Sequence, residues 1–344
     1  MRKKLLWIAL FCIITGLFIF LYFYKVAFAD NVNNSSKQKY QTLLIPTGAN
    51  FDDVLYILKS NKVLKNSNTF IRVAKALKYD THVKPGRYLL SNNAGNFTIV
   101  RKLRAGAQDP VKIVFNNIQN KEQLAENIAK QIEASKSDLL KEFNNPVLLD
   151  SMNLTEDNFP TIFLANTYEF YWNTSAKKFV ERMLKEYNKF WTDRRKDKAQ
   201  ELGLSPTEAT ILASIVQKES NHYDEYPEIA GVYINRLHQN WPLQADPTVM
   251  YALNKLGIRR RVYYADLKIQ SPYNTYINKG LPPGPICLPE RKSIEETLDA
   301  NDSKYMYFCA KEDFSGYHVF AETLEQHEEN AKRYQQALNE KKVK

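Results

Sequence analysis

The sequence predicts an α+β protein with an N-terminal transmembrane helix, a small β-α module and a larger mixed α+β domain. Three observations carry that reading. A run of twenty residues without formal charge, Leu5 to Tyr24, follows directly on Met-Arg-Lys-Lys. From Thr42 onward, short strand-like runs alternate with helical periodicity; after Ser205 the pattern is mainly helical until a last pair of strand-like runs. The 344 residues leave room for about two domains at roughly 150 residues each.

Composition narrows the function classes. Hydrophobic residues make up 44% and charged residues 25%, values of a chain that buries a core. With 11 Gly and 14 Pro the chain is neither collagen-like nor of low complexity, and three Cys exclude a disulfide-dense scaffold or a four-thiolate zinc site. The formal net charge is +10, of which +4 comes from Arg2, Lys3, Lys4 and Lys25 within residues 1–29. The other +6 is spread over 315 residues, a mildly basic surface that gives no footprint for a nucleic-acid partner.

At 1.5 Å per residue, Leu5 to Tyr24 forms about 30 Å of helix, enough to cross the hydrocarbon core. The run exceeds the apolar stretch of about 7–15 residues in a cleavable signal, although Ala27-Phe28-Ala29 has the small-residue pattern of a cleavage site. Residues 1–29 therefore read as a cytoplasmic tip and signal anchor. The positive-inside rule places the rest outside the cytoplasmic (inner) membrane, as an extracytoplasmic domain. Asp30 to Lys39 is polar and reads as a tether, giving a linker over 30–40. Cys12 falls within the membrane, which leaves Cys287 and Cys309 as the external thiols; the compartment permits a bond and the sequence leaves it open.

The module starts with Leu43-Leu44-Ile45 as a strand and Pro46-Thr47-Gly48 as a turn. Asn50 caps a helix with Asp52 and Asp53 in its first turn and Val54, Leu55, Ile57 and Leu58 as its buried stripe. Phe70, Val73, Ala74 and Leu77 mark a second helix, Lys84 to Leu90 a turn entering a strand, and Phe97 to Arg104 a short helix closed by Gly106. A related β-α start at Val111 to Phe115, followed by Leu124, Ala125, Ile128 and Ile132, suggests a weak internal repeat.

Farther on, Ser205-Pro206-Thr207-Glu208 combines a capping residue, a first-turn Pro and the Glu of a capping box. Its helix runs through Ile211, Leu212, Ile215 and Val216 to Glu219. Pro227 opens another helix, with Ile229, Val232, Tyr233 and Leu237 on one side, and Asp246-Pro247 opens a third that Gly257 should end. Tyr305 to Ala310 and Tyr317 to Ala321 read as paired strands. Thr323 and Gln326 cap a final exposed helix reaching about Glu340.

Glu219 is the residue that suggests chemistry. It lies four residues from Ile215 and eight from Ile211, on the apolar face, in the last turn of its helix. Burial and the negative dipole end both disfavour its carboxylate, as a general acid requires. The plain alternative is a Glu that reaches water beside Lys218 or Arg236.

Six strings then fall in order: Ile-Val-Gln-Lys-Glu-Ser at 215–220, Ile-Asn-Arg-Leu at 234–237, Leu243 to Leu253, Ser-Pro-Tyr-Asn-Thr-Tyr at 271–276, Gly-Leu-Pro-Pro-Gly-Pro-Ile at 280–286 and Tyr-His-Val-Phe at 317–320. Together they resemble the endolytic murein transglycosylases of the YceG-like family. The resemblance implies a LysM-like subdomain over residues 41–108, a catalytic domain over 109–344 and Glu219 as catalytic acid. The position two before that Glu is acidic in many members; here it is Gln217. Ala165-Asn166 stands where the family usually has Pro-Asp.

The reaction so implied cleaves the β-1,4 bond between N-acetylmuramic acid and N-acetylglucosamine in nascent peptidoglycan. Glu219 protonates the glycosidic oxygen and then takes the proton of the muramic C6 hydroxyl, which attacks C1 and leaves a 1,6-anhydro end. A hydrolase would need two carboxylates flanking the bond. Asp246 suits helix capping, or a second carboxylate in the cleft. Gln244, Tyr273, Asn274 and Tyr276 suit sugar rings and amides, although Asn274 and Tyr276 could equally brace a turn. Pro282 and Pro283 read as a stiff cleft wall, and His318 as a structural hydrogen bond or a cleft residue.

No cofactor is implied. The histidines at 82, 222, 238, 318 and 327 make no HExxH pattern or close pair, and no phosphate-cradling glycine loop or GxSxG elbow occurs. Arg259-Arg260-Arg261 reads as a solvated basic run that could meet peptide carboxylates. Expected partners are peptidoglycan glycan strands, the membrane through the N-terminal helix and, from the resemblance, peptidoglycan synthases. Two rival readings are a non-catalytic wall-binding scaffold and a muramidase-type hydrolase using Glu219 with Asp246.

Overall fold

The structure, a computed structural model, describes residues 2–33, 39–115, 118–258 and 260–341. Positions 34–38 of the expected tether and Arg259 of the basic run lie outside the described residues. The protein is α+β. It divides into two compact units, the first comprising Met1–Ile113 with Gln131–Ala134 and Glu169–Ser175, the second Val114–Lys130, Ser135–Tyr168 and Ala176–Lys344.

In the first unit, α1 (Arg2–Phe28) is apolar all round from Leu5 to Tyr24 and exposed from Lys3 to Lys25, with Trp7 at 71% and Phe18 at 70%, as a helix bathed in lipid would be. Its segment Lys3–Phe28 is long and apolar enough to cross a membrane. Strand β1 (Tyr40–Ile45) leads to α2 (Phe51–Ser60) and α3 (Ser67–Ala76). Then β2 (Gly86–Ser91) returns antiparallel to β1, with Leu43 opposite Tyr88, before α4 (Asn96–Ala105). Asn50 accepts from the Asp52 and Asp53 amides while Asp53 returns a bond to the Asn50 amide, so the expected cap is a full capping box. Leu43, Ile45, Val54, Leu58, Phe70 and Tyr88 fill the core between the strands and the helices.

The expected tether differs at its start. The last turns of α1 dock on α3 and α4: Arg72 donates to the Tyr22 hydroxyl, Asn96 Nδ2 donates to the Val26 carbonyl at 2.8 Å, and Phe28 packs on Phe97 with ring centres 5.3 Å apart. Asp30 and Val32 bridge to Gly95 and Leu64. Asn31 is buried, its amide nitrogen donating to the Asn66 carbonyl at 2.9 Å and to Asn96 Oδ1 at 2.6 Å, its oxygen accepting from the Asn66 amide at 2.8 Å. A polar run thus behaves as structure because its short amides satisfy buried donors and acceptors, a pairing that composition hides. A Cβ on Gly95 would stand 2.6 Å from the Phe28 carbonyl oxygen, so only glycine admits the approach.

Beyond the module, β3 (Val111–Val114) is followed by α5 (Lys121–Ala129), α6 (Lys136–Phe143) and α7 (Pro146–Ser151). Then β4 (Thr167–Phe170) pairs with β3. The strand–helix–helix–strand order of the module recurs here with α7 and the 3-10 turn Phe159–Ile162 added.

The second unit continues through α8 (Ala176–Phe190), α9 (Asp193–Glu201), α10 (Pro206–Glu219), α11 (Tyr226–His238), α12 (Asp246–Ala252) and α13 (Arg291–Leu298). The hairpin β5 (Tyr307–Ala310) and β6 (His318–Ala321) precedes α14 (Leu324–Glu340). Cys309 faces Val319 in the antiparallel register of the hairpin. Helix α12 stops five residues before Gly257, because Asn254 takes the left-handed conformation at φ 54° and Lys255 N–H closes back on the Met250 carbonyl at 2.8 Å. The thiols of Cys287 and Cys309 are both free, the former buried.

Candidate active site

Every residue of α10 from Ala209 to Val216 is buried, so α10 is the central helix of its unit rather than a surface helix with one apolar stripe. Ser205 and Glu208 close the expected capping box at its start. At its other end Glu219 leaves the core and enters a cleft of about 240 Å³. The cleft is enclosed by α11, by the segment before α12, by Tyr276 and by the β5–β6 hairpin.

From α11 come Tyr233 and Arg236, both buried. The Tyr233 hydroxyl donates to Glu219 Oε1 at 2.5 Å. Arg236 spends its guanidinium on backbone, donating to the Met306 carbonyl at 2.8 Å and the Leu243 carbonyl at 2.5 Å. It is therefore an electrostatic neighbour of Glu219 and makes no salt bridge with it.

The Leu243–Pro247 segment alternates: Leu243, Ala245 and Pro247 are buried, Gln244 and Asp246 exposed to the cleft. Thr275 pins it, its carbonyl accepting the Gln244 amide at 3.0 Å and its hydroxyl the Ala245 amide at 3.0 Å. Gln244 sits at φ 53°, a left-handed backbone that costs a non-glycine residue free energy and recurs at functional sites. Asp246 does not cap α12, whose N-cap is Ala245 without a side-chain bond. Its Oδ1 instead accepts the Tyr276 hydroxyl at 2.6 Å.

The hairpin supplies Phe308, Cys309, Ala310 and His318. His318 serves both roles expected of it, lining the cleft and bonding to structure. Its Nδ1 lies 3.1 Å from Glu225 Oε2, and its backbone N–H donates to Glu225 Oε1 at 2.5 Å.

Loss of hydration is the largest cause that raises the Glu219 carboxyl, to about 7; the Asp246 charge raises it further, while the Tyr233 bond and Arg236 lower it. The residue keeps some exposed surface, but its carboxyl lies deep enough for burial to dominate. Burial and the Asp246 charge both push the Tyr276 hydroxyl upward, so it stays a neutral donor. The arrangement is a carboxyl held partly protonated near neutrality, facing polar side chains across a space the size of a sugar ring.

Glu219, Gln244, Asp246, Tyr276 and His318 thus gather in one cleft, and two expected residues do not join them. Asn274 is fully buried and braces a turn, donating to the Leu267 and Ile269 carbonyls at 2.9 Å each and accepting the Tyr276 amide at 3.0 Å. Tyr273, half-buried, packs against the core beside Tyr251, ring centres 4.7 Å apart. Gln217 faces away from the cleft; its Oε1 accepts the Glu290 amide at 2.7 Å and the Ser293 hydroxyl at 2.6 Å, capping α13 from outside. Pro282 and Pro283 wall a separate cavity of about 790 Å³ at the start of α10. Asn166 braces Phe115, accepting its amide at 3.1 Å, where the departing Ala165-Asn166 pair stands.

Three contributors escaped sequence reasoning. Tyr233 looked like core, Arg236 like a surface partner, and Glu225 carried no pattern at all. A usable signal was the placement of Arg236 on the same helix face as Val232 and Tyr233, where a cation needs buried acceptors.

Comparisons with known proteins show the family. A family model described as the YceG-like family matches residues 43–333. An endolytic murein transglycosylase of Bacillus subtilis is 31% identical over 86% of this chain and 85% of its own length. One from Streptococcus pneumoniae is 27% identical over 86% of this chain, which spans 59% of that relative. A crystal structure of a yceG-like protein from Listeria monocytogenes superposes with a TM-score of 0.55 at 32% identity, covering 85% of this chain and 98% of that one.

Proposed function

The chain belongs to the YceG-like family, and from that premise we propose that Glu219 is its catalytic acid in the cleavage of glycan. The protein is a lyase, a lytic transglycosylase of peptidoglycan, with an N-terminal helix able to anchor it in a membrane. Its substrate bond is the β-1,4 link between N-acetylmuramic acid and N-acetylglucosamine inside nascent strands, and its product a 1,6-anhydro end that stops elongation.

One observation carries the reading: Glu219 is raised to about 7, chiefly by burial, in a cleft whose other carboxylate is engaged by Tyr276. A protonated Glu219 gives its proton to the glycosidic oxygen as the C1–O bond breaks. The muramic C6 hydroxyl then bonds to C1, and its proton returns to the cleft carboxylate. No water is consumed. Gln244, Asp246, Tyr276 and His318 hold hydroxyl and amide groups of the sugars.

The βααβ order of β1, α2, α3 and β2 supports a LysM-like role for residues 41–108, a glycan-holding module beside the catalytic region of 109–344. The basic tip before α1 supports a cytoplasmic N-terminus and an extracytoplasmic catalytic unit. A reaction on nascent strands supports peptidoglycan synthases as partners.

Asp246 favours one second reading, a muramidase-type hydrolase, because it lines the cleft rather than capping α12. Product analysis separates the two. Mass spectrometry of digested glycan is expected to show ends one water lighter than reducing ends; reducing ends alone would select the hydrolase. Glu219→Gln is expected to abolish turnover, whereas a non-catalytic wall-binding scaffold would keep its function in that variant.

A further inference from the structure

Glu225 is a buried carboxylate, 5% exposed, in the short 3-10 turn Tyr223–Glu225 that follows α10. Its carboxylate bonds to His318, which lines the cleft, and to Ser220, next to Glu219. Oε1 accepts the His318 backbone amide at 2.5 Å, and Oε2 lies 3.1 Å from His318 Nδ1 and accepts the Ser220 hydroxyl at 2.7 Å. Ser220 immediately follows Glu219, and its hydroxyl also accepts the His222 amide at 3.0 Å. The carboxylate thus ties the acid-bearing end of α10 to the histidine on β6.

This geometry fixes the chemistry of the ring. A carboxylate beside Nδ1 makes Nδ1 the N–H nitrogen of the neutral imidazole, which leaves Nε2 with its lone pair. His318 is half-buried and lines the cleft with Glu219, while Phe308 closes over its ring edge-on at 5.3 Å. Glu225 meets the ring at Nδ1, Asp224 next to it accepts the neighbouring Tyr317 hydroxyl at 3.1 Å, and Glu219, Asp246, Arg236 and Cys309 line the same cleft as His318.

We propose that His318 is the general base of the reaction and that Glu225 is its positioning residue, with Glu219 acting as the acid. The proposal rests on the transglycosylase reading given above. In the step, Nε2 takes the proton of the muramic C6 hydroxyl as that oxygen bonds to C1. The C1–O4 bond breaks, its electron pair stays on O4, and O4 receives the proton of Glu219. The imidazolium then returns a proton to the Glu219 carboxylate, so the site is reset with no co-reactant. Charge in the step is shared between two residues, and Glu225 stabilises the cation on His318. With Glu219 alone, one carboxyl must serve both ends of the bond in turn.

The test uses the full chain in detergent or lipid and a glycan oligomer with 4-nitrophenol at the reacting muramic C1. That leaving group departs without a proton, so it removes the need for an acid but not for a base. Glu219→Gln is expected to recover most of the wild-type rate on this substrate, whereas His318→Gln stays about 10²-fold down in kcat on it and on native glycan. Glu225→Gln is expected to lower kcat by tens of fold with KM unchanged, and Glu225→Asp to restore part of it. Its pH–rate profile should shift on the acid side.

A structural role for Glu225 would instead lower the melting temperature and leave kcat per folded molecule and the profile unchanged. Wild-type kcat in His318→Gln, or failure of the activated substrate to rescue Glu219→Gln, overturns the proposal. Anhydro ends from the wild type, read in the same assay, show whether the transglycosylase reading itself stands.

Discussion

Tyr233 reaches across from α11 to hold Glu219 at the end of α10, hydroxyl to Oε1 at 2.5 Å. The bond favours the ionised carboxylate and so opposes the burial that raises it. Tyr233→Phe keeps the buried ring and deletes the donor. Glu219 then holds its proton to higher pH, and the alkaline limb of kcat/KM moves upward, at a stability cost of about 1 kcal/mol. A limb that stays in place would show that the hydroxyl does not tune the acid.

Asp246 works in the opposite sense, because its charge raises Glu219. Asp246→Asn keeps an acceptor for Tyr276 while removing the charge. The alkaline limb should move down, with activity at pH 8 several-fold lower and activity at acid pH little changed. Titrating kcat/KM in both variants gives shifts of opposite sign.

Glu219 also links stability to pH. Its carboxyl ionises near 4.5 in an unfolded chain and near 7 when folded, so the folded state holds the extra proton between those values. Wild-type stability falls as pH rises through that window. Glu219→Gln lacks the slope. It should match the wild type near pH 4 and exceed it above pH 7 by about 1–2 kcal/mol, a figure reduced for the solvent that reaches the residue. Chemical denaturation at the two pH values measures the difference.

Gln217 offers a contrast two residues away. Gln217→Leu strips the acceptor from the Glu290 amide and the Ser293 hydroxyl, and should cost about 1–3 kcal/mol. Gln217→Glu restores an acceptor at the positive end of α13 and should leave turnover within about twofold and the pH profile unmoved. A changed profile would mean that position 217 senses the cleft.

The α1 junction can be probed at Gly95. Gly95→Ala places a Cβ against the Phe28 carbonyl oxygen, 2.6 Å away without rearrangement. Hydrogen exchange of the chain in lipid nanodiscs should quicken at the amides of residues 29–33 and leave α10 unchanged.

Much of this was legible in the sequence because it is local. The capping boxes at Asn50, Ser205 and Thr323 need only neighbours three residues apart, and the spacing of Ile211, Ile215 and Glu219 is a property of one helix. What stayed hidden depends on distant chain. Asp246-Pro247 looks like a cap until the alternation of Leu243 to Pro247 is seen to turn Asp246 outward. Asn274 reads as a sugar ligand until two carbonyls consume its amide. Glu225 acquires meaning only when β6 brings His318 back 93 residues later. Asp30 to Asn33 reads as a linker because polar composition does not report which amides find partners.

That last feature changes what the lipid can do to the protein. A tethered module would sample every orientation above the bilayer and average them. Here Asn31, Asn96 and the Phe28–Phe97 contact make a stiff joint between α1 and the module. Bilayer thickness governs the tilt of a spanning helix. Where α1 spans a bilayer, this joint carries its tilt into the module, so bilayer thickness bears on the orientation of the module.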